Sequence, residues 1–359
     1  MSQSDEQGAT SRRGGVWRRS LRWAIGLLAV FFTLAAVASS YNWVRTANAM
    51  RRLPPPGEMI DIGGRRLHLY CLGKGAPTVI LEGGLLDSWL AWSLVQPELA
   101  KSTRVCAYDR AGYGYSDSGP FPRTSEPIVS DLNALLQVAQ VPSPYVLVAW
   151  SFGGFNVRLF AAQHPNDVGG LVLVDTAHED LLDDPSPAVQ KYWNGSKRRS
   201  LRRLVEATVG LNRLTGSNLA FPEVLPEDAR PYAVAAGFSW QWARTDFSER
   251  RWLAAASSDQ VRQSRQILNV PVVVITRGKP DLIAGSFGLT AAEAEEVERK
   301  WQERQRDLLN LSATSRLIIA EQSDHSIVYV QPTIVVAAVQ ELVADLRRPA
   351  KQAWSYRSR

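Results

Sequence analysis

The chain has 359 residues, of which 45% are hydrophobic and 21% charged, with a formal net charge of +6. That composition excludes a disordered chain and is enough for a large core. Much of the positive charge sits at the ends, in Arg12, Arg13, Arg18, Arg19 and Arg22 and again in Arg347, Arg348, Lys351, Arg357 and Arg359. Such placement suits lipid headgroups; with no zinc-finger, helix-turn-helix or RNA-binding pattern, nucleic acid is not an expected partner.

Behind a basic tail (residues 1–22), Trp23–Ala38 reads WAIGLLAVFFTLAAVA without a charge. Continued to Val44 it reaches the ~20 residues that span ~30 Å of hydrocarbon, so a transmembrane helix is expected over 23–44. Trp23, Tyr41 and Trp43 stand at its ends, where aromatic belts lie. The arginines before it outnumber Arg45, Arg51 and Arg52 after it, which favours a single-pass protein with its domain outside the cytoplasm. Two other readings stay open: a cleaved signal peptide, since Ala36-Val37-Ala38 fits an A-x-A site, and a buried core helix. Residues 45–57, ending in Leu53-Pro54-Pro55-Pro56-Gly57, read as a stiff linker. The folded domain is expected over 58–346 and a basic tail over 347–359.

Within the domain, Met59–Ile62 and Arg66–Leu72 flank Gly63-Gly64 and read as a hairpin. Thr78–Leu81, Arg104–Tyr108, Tyr145–Ala149, Leu171–Val174, Pro271–Ile275 and Arg316–Ala320 are short apolar runs suited to strands buried on both faces. Helical patterns lie between them at Trp89–Ala100, Val129–Val141, Gly154–His164, Ala291–Asn310 and Thr333–Leu346. This alternation implies an α/β doubly wound, mostly parallel sheet. Residues 176–270 interrupt the rhythm and are far longer than the dozen residues a crossover needs. They hold Trp193, Trp240, Trp242, Trp252 and the basic run Lys197–Arg203. The segment reads as a helical cap, its tryptophans either roofing an apolar pocket or packing the cap on itself. Its basic run is either a solvated helix face or a membrane-docking face.

Chemistry concentrates at Tyr145-Val-Leu-Val-Ala149-Trp150-Ser151-Phe152-Gly153-Gly154. A buried strand runs into a serine, a tight turn and a helix. A serine hydroxyl is a weak nucleophile that needs exposure, a base and an anion-binding surface. The strand-to-helix turn supplies exposure and aims backbone N–H groups at a developing oxyanion. Small residues are needed two positions either side of the serine, and Ala149 and Gly153 stand there. Of the four histidines, His68 lies in the hairpin and His164 at a helix end, positions more often structural; His178 lies beside the cap. His325, in a loop after a strand, has the best context for a base.

These stretches resemble the α/β-hydrolase superfamily. Thr78–Leu85 is similar to its strand and oxyanion loop, Tyr108–Asp117 to its Asp-x-x-Gly-x-Gly-x-Ser turn, and Ser323-Asp324-His325 to its histidine loop. The resemblance covers residues 58–346 and implies an α/β-hydrolase fold with the helical cap inserted before the penultimate core strand. It implies Ser151 as nucleophile, His325 as base, and Phe152 and Gly84 as oxyanion-hole donors. For the acid, Gly278-Lys279-Pro280-Asp281 matches the family's position, so Asp281 is expected, with Asp175 at the end of the preceding strand as the alternative; Asp324 reads as a turn residue. Two departures bear on substrate: Glu82 stands where many relatives carry histidine, and Ala149 where many carry glycine.

The resemblance also makes the strands carrying Cys71 and Cys106 neighbours. A disulfide is expected between them, with two buried thiols as the alternative. Two cysteines without a CxxC make no metal site, and neither metal nor cofactor is expected. The expected activity is hydrolysis of an ester, thioester or amide through an acyl-serine, on a small, apolar substrate, with the helix in membrane lipid. A serine at this position disfavours epoxide hydrolase and haloalkane dehalogenase chemistry, which use aspartate there. A cofactor-free haloperoxidase-like perhydrolase and a low-turnover ligand-binding protein remain as alternatives.

Overall fold

The β-branched apolar runs pair into one sheet of eight strands: β1 (Glu58–Asp61), β2 (Arg66–Leu72), β3 (Thr78–Glu82), β4 (Val105–Tyr108), β5 (Tyr145–Trp150), β6 (Val168–Val174), β7 (Val272–Arg277) and β8 (Ser315–Ala320). The spatial order is β1-β2-β4-β3-β5-β6-β7-β8. β1 and β2 form the expected hairpin, and β2 pairs antiparallel with β4. From β4 onward every pairing is parallel. The structure is a computed structural model that describes residues 3–281 and 284–348. The side chains of Arg12 and Arg13, and all of Lys351, Arg357 and Arg359, lie outside the described residues.

Strand residues alternate between two cores, as the two-residue period requires. Along β5, Tyr145, Leu147 and Ala149 join a cluster with Ile128, Leu132, Phe155 and Phe160 from the helices Ser125–Val138 and Gly153–Gln163. Val146, Val148 and Trp150 join the opposite cluster, with Leu99, Val335 and Val339. Both faces are therefore covered, which is why β5 has no exposed residue. The central strands end side by side, and the site lies at that edge.

The helix expected over Trp89–Ala100 divides into a 3-10 turn (Trp89–Trp92) and a helix (Gln96–Ala100). Pro97 causes the break: without an N–H it is tolerated in a first turn and not mid-helix. Cys71 and Cys106 face each other directly in the β2–β4 register, and their sulfurs are bonded. Residues between β6 and β7 are helical, as expected of the cap, and its two longest helices, Pro187–Thr208 and Trp240–Trp252, pack against each other.

The N-terminal helix runs from Gln3 to Arg52, so it continues through most of the stretch expected as a linker. Its segment Trp17–Arg52 is long and apolar enough to cross a membrane. The C-terminal part of that helix docks on the cap. Ser39 donates to the Thr208 carbonyl (2.6 Å), and buried Asn42 donates to the Phe238 carbonyl (3.0 Å). Arg213 returns hydrogen bonds to Asn42 (2.9 Å) and Thr46 (3.0 Å). Gly210 permits this approach, since a Cβ there would come within 2.4 Å of the Ala38 carbonyl oxygen. Arg347, expected in a tail, instead donates to the carbonyls of Ala76 (2.8 Å) and Ser102 (3.0 Å).

Candidate active site

Ser151 follows β5 and precedes the helix Gly153–Gln163 with φ 57°, a left-handed conformation that costs a non-glycine residue on the order of 1–3 kcal/mol. Packing holds it there. The Ser151 N–H donates to the Val174 carbonyl (3.1 Å), and its own carbonyl accepts from Ala177 (3.1 Å). Gly153 is required because a Cβ would lie 2.7 Å from the carbonyl oxygens of both Glu82 and Gly83.

His325 Nε2 is 2.9 Å from Ser151 Oγ, and His325 Nδ1 is 2.6 Å from Asp175 Oδ2. The expectation of Asp281 against the histidine is corrected here: the carboxylate on His325 is Asp175. Asp175 leaves β6, the strand beside β5, with φ 43° and its N–H on the Ile275 carbonyl (2.6 Å), which aims its side chain at the neighbouring strand end. Asp281 lies beyond β7, one strand further out, and accepts from the Tyr192 hydroxyl (2.9 Å) on the cap.

Asp175 is fully buried and heavily partnered. Arg277 pairs with it at 2.9 Å, and the Trp301 indole N–H donates to Oδ1 at 2.9 Å. Burial alone pushes its carboxyl up; Arg277, His325 and Trp301 outweigh that and hold it well below the usual carboxylate range. Glu298 takes the other side of the Arg277 guanidinium (2.7 Å). His325 is also fixed by two indoles: the Trp150 ring lies 5.4 Å away and its N–H donates to the His325 carbonyl (2.9 Å), while Trp301 meets the imidazole edge-on at 5.7 Å.

The expected oxyanion donors differ in state. The Phe152 N–H makes no hydrogen bond among the described residues. The Gly84 N–H donates to Asp87 Oδ2 at 2.9 Å. Burial pushes the Asp87 carboxyl up to about 7, against the opposing pull of Arg110, the Gly84 N–H and His325. The loop carrying Gly84 is clamped from below: the Arg110 guanidinium donates to the carbonyls of Gly83 (2.7 Å) and Gly84 (2.6 Å). Arg110 is held in turn by Glu82 (3.1 Å) and by Glu249 of the cap (3.1 Å), all three being buried. Glu82 is thus one end of a buried ion-pair chain.

Above Ser151 and His325 lies a cavity of about 410 Å³, walled by Leu85, Tyr192, Trp193, Phe221 and Phe287 among others. Trp193 roofs it and Trp242 is buried in a separate cluster with Tyr113, whereas Trp240 and Trp252 are exposed and take neither expected role. The remaining histidines are structural. His68 bonds Asp109 (2.8 Å) beneath the hairpin, His164 closes a helix, and His178 accepts the Asp180 N–H (3.1 Å).

Residues 77–279 match the model of the alpha/beta hydrolase fold family, more than half of the chain. The chain belongs to the alpha/beta hydrolase fold family. An AB hydrolase superfamily protein of Gibberella zeae is 26% identical over 298 residues, covering 76% of this chain and 87% of its own length. An uncharacterized protein of Schizosaccharomyces pombe is also 26% identical, over 77% of this chain, which spans about half (53%) of that relative. Among solved structures, an enol-lactonase from Burkholderia xenovorans superposes with a TM-score of 0.54 at 19% identity, covering 80% of this chain and all of that one (100%).

Within this family frame, sequence reading named Ser151, His325, Phe152 and Gly84 by motif but missed Arg277, Trp301, Arg110 and Asp87. Arg277 had a usable signal, being the charged last residue of an otherwise apolar strand beside Asp175. Asp87 carried none, since nothing in its spacing distinguishes it from a loop carboxylate.

Proposed function

We propose that the chain is a membrane-anchored serine hydrolase that cleaves an ester, thioester or amide through an acyl-serine intermediate. The observation that carries this reading is the hydrogen-bonded series Ser151–His325–Asp175 opening into the cavity. Ser151 Oγ attacks the substrate carbonyl carbon while its proton passes to His325 Nε2. Asp175 holds the imidazole with Nδ1 protonated and stabilises the imidazolium. The tetrahedral oxyanion is met by the Phe152 N–H, with Gly84 as second donor once its bond to Asp87 is released. Collapse breaks the bond to the leaving group, which takes the proton from His325. Water then repeats the sequence on the acyl-enzyme.

Fluorophosphonate labelling of the full-length protein in detergent, with mass spectrometry of the adduct, tests this reading. An adduct on Ser151 that is lost in His325→Ala supports it; no adduct on folded protein rejects it. The Asp87 carboxylate on the Gly84 N–H favours one second reading, a low-turnover ligand-binding protein on the same fold. Labelling without sustained ester turnover would bring that reading forward. Peroxide-dependent acyl transfer would mark the perhydrolase alternative.

The apolar N-terminal helix is read as the anchor, with the domain outside the cytoplasm. The arginine bias across the helix and the Cys71–Cys106 bond, suited to an oxidising compartment, support this. Cap contacts begin at Ala38–Ser39, some five residues inside the expected span; at 1.5 Å per residue the cap edge then dips ~8 Å into the interfacial region. Leu211 and Leu214 are exposed at that level, and an apolar ester dissolved in the membrane would meet the cap first. Protease accessibility of the domain in sealed spheroplasts checks the orientation.

A further inference from the structure

The basic run Lys197–Arg203 lies on the long cap helix Pro187–Thr208, and the helix sorts it by face. Lys197, Arg198 and Arg202 are exposed, with Arg202 paired to Glu206 at 3.0 Å. Arg199 and Arg203 instead continue the stripe begun by Tyr192 and Ser196, at spacings of one helical turn, and all four line the cavity that contains Ser151. The run is therefore neither wholly a solvated face nor wholly a membrane-docking face.

We infer that Arg203, seconded by Arg199, is an anion-binding subsite in the roof of the cavity, so that the ester cleaved at Ser151 carries a carboxylate on the part lying under the cap. The inference rests on the reading of Ser151 as nucleophile and adds the substrate's charge to it. Arg203 is half-buried and makes no hydrogen bond or ion pair among the described residues; its contact is the Phe221 ring, 5.7 Å from the guanidinium carbon. The neighbouring carboxylate is already engaged: Asp246 accepts from Arg250 (2.6 Å) and from the Ser200 hydroxyl (2.7 Å). Arg199 donates to the Ser286 hydroxyl and stacks over Phe287 at 4.6 Å, with no ion pair among the described residues.

Three guanidinium groups thus meet two carboxylates at this end of the cavity, Asp246 acting on Arg203 and Arg250 and Asp281 on Arg199. Burial lowers Arg203 to about 10, and Arg250 and Arg199 add to that against Asp246. Taking a cation out of water without a counter-ion is costly, and a ligand anion relieves that cost. The acids that share the cavity are otherwise placed: Asp87 on the Gly84 N–H, Asp281 on the Tyr192 hydroxyl, Asp324 on the Ser326 N–H (2.9 Å), and Glu223 exposed at the mouth. A planar guanidinium receives a carboxylate through two parallel N–H···O bonds, and such charge-assisted pairs are worth about tenfold or more in binding. Arg199 and Arg203 sit one turn apart, about 6 Å along the axis, so one carboxylate can reach either.

A matched pair of chromogenic esters tests this on the full-length protein in detergent: the mono-4-nitrophenyl ester of adipic acid, anionic at pH 7, and neutral 4-nitrophenyl hexanoate. Wild type is expected to prefer the anionic ester in kcat/KM. Arg203→Gln lowers the anionic-to-neutral ratio about tenfold or more, chiefly through KM; Arg203→Lys keeps part of the preference and Arg203→Glu reverses it. A ratio that stays within twofold in folded Arg203→Gln and Arg203→Glu overturns the subsite. Should neither ester turn over and Ser151 not label with fluorophosphonate, the nucleophile reading fails by itself. Calorimetric titration with adipate then decides the subsite separately: binding weakened about tenfold in Arg203→Gln sustains it, and equal or absent binding in both proteins overturns it.

Discussion

At the scale of single residues, the decisive fact is which carboxylate serves His325. Asp175 has the imidazole, a guanidinium and an indole N–H on it, whereas Asp281 is bonded to a tyrosine of the cap. Asp175→Asn is therefore expected to lower kcat by about three to four orders of magnitude, because the amide no longer holds the productive tautomer. Asp281→Asn is expected to cost less than about tenfold. Initial rates on 4-nitrophenyl hexanoate check both, and equal losses would contradict the assignment. Asp87 sets a second expectation. Its carboxyl, pushed up to about 7, is neutral at lower pH and becomes an anion beside the oxyanion donors as pH rises through that value. Acylation should then slow on the alkaline side of about pH 7. Asp87→Asn, which cannot ionise, should lose that limb; a pH profile of kcat/KM in which the limb persists would assign it to another group.

At the scale of elements, the strands and the turn at Ser151 were legible because they depend on local patterns. β5 is apolar on both faces, and Gly153 admits the carbonyls of Glu82 and Gly83. The acid was not legible, since choosing between Asp175 and Asp281 requires knowing that β6 lies beside β5 and that the turn after β7 leans towards Tyr192. Both are matters of strand order and long-range packing, to which spacing is blind. The state of the Gly84 N–H was hidden for the same reason, because Asp87 meets it through a loop conformation. The chain Glu82–Arg110–Glu249 likewise joins residues far apart in sequence, and it ties the cap helix Trp240–Trp252 to the loop bearing Gly84. Breaking it at the cap end leaves a buried guanidinium short of one partner, a loss of about 3–5 kcal/mol for full removal of a buried ion. Glu249→Gln keeps the shape and removes the charge. It is expected to lower kcat more than it raises KM, since the disturbed group positions the oxyanion donor and does not touch the substrate's ends. A change confined to KM would show that the ion pair serves the cap alone.

At the scale of the whole molecule, the N-terminal helix is part of the folded unit. A helix tethered only by a flexible segment could be exchanged or removed without consequence for the domain. Here Asn42 is buried against the cap, with its amide on the Phe238 carbonyl and its oxygen accepting from Arg213. Met50 packs with Leu86 and Leu219, which also line the cavity. Helix, cap and cavity wall therefore share one cluster, and disturbance of the helix should reach the site. Asn42→Ala leaves the Arg213 Nε–H without its partner, while the Phe238 carbonyl keeps its bond from Asn212 (3.1 Å), a cost of about 1–3 kcal/mol. For a domain of this size that corresponds to a fall in Tm of about 2–12 °C, scaled from ~2–4 °C per kcal/mol. Thermal unfolding of wild type and Asn42→Ala in the same detergent measures it, with Arg18→Ala, outside the docked segment, as the control. A drop shared by both variants would point to the detergent-embedded helix in general. An unchanged Tm in Asn42→Ala would mean that the helix leaves the cap in solution and serves as a tether only. A drop confined to Asn42→Ala identifies the helix as a wall of the domain, so that the orientation of the cavity to the helix is fixed by packing.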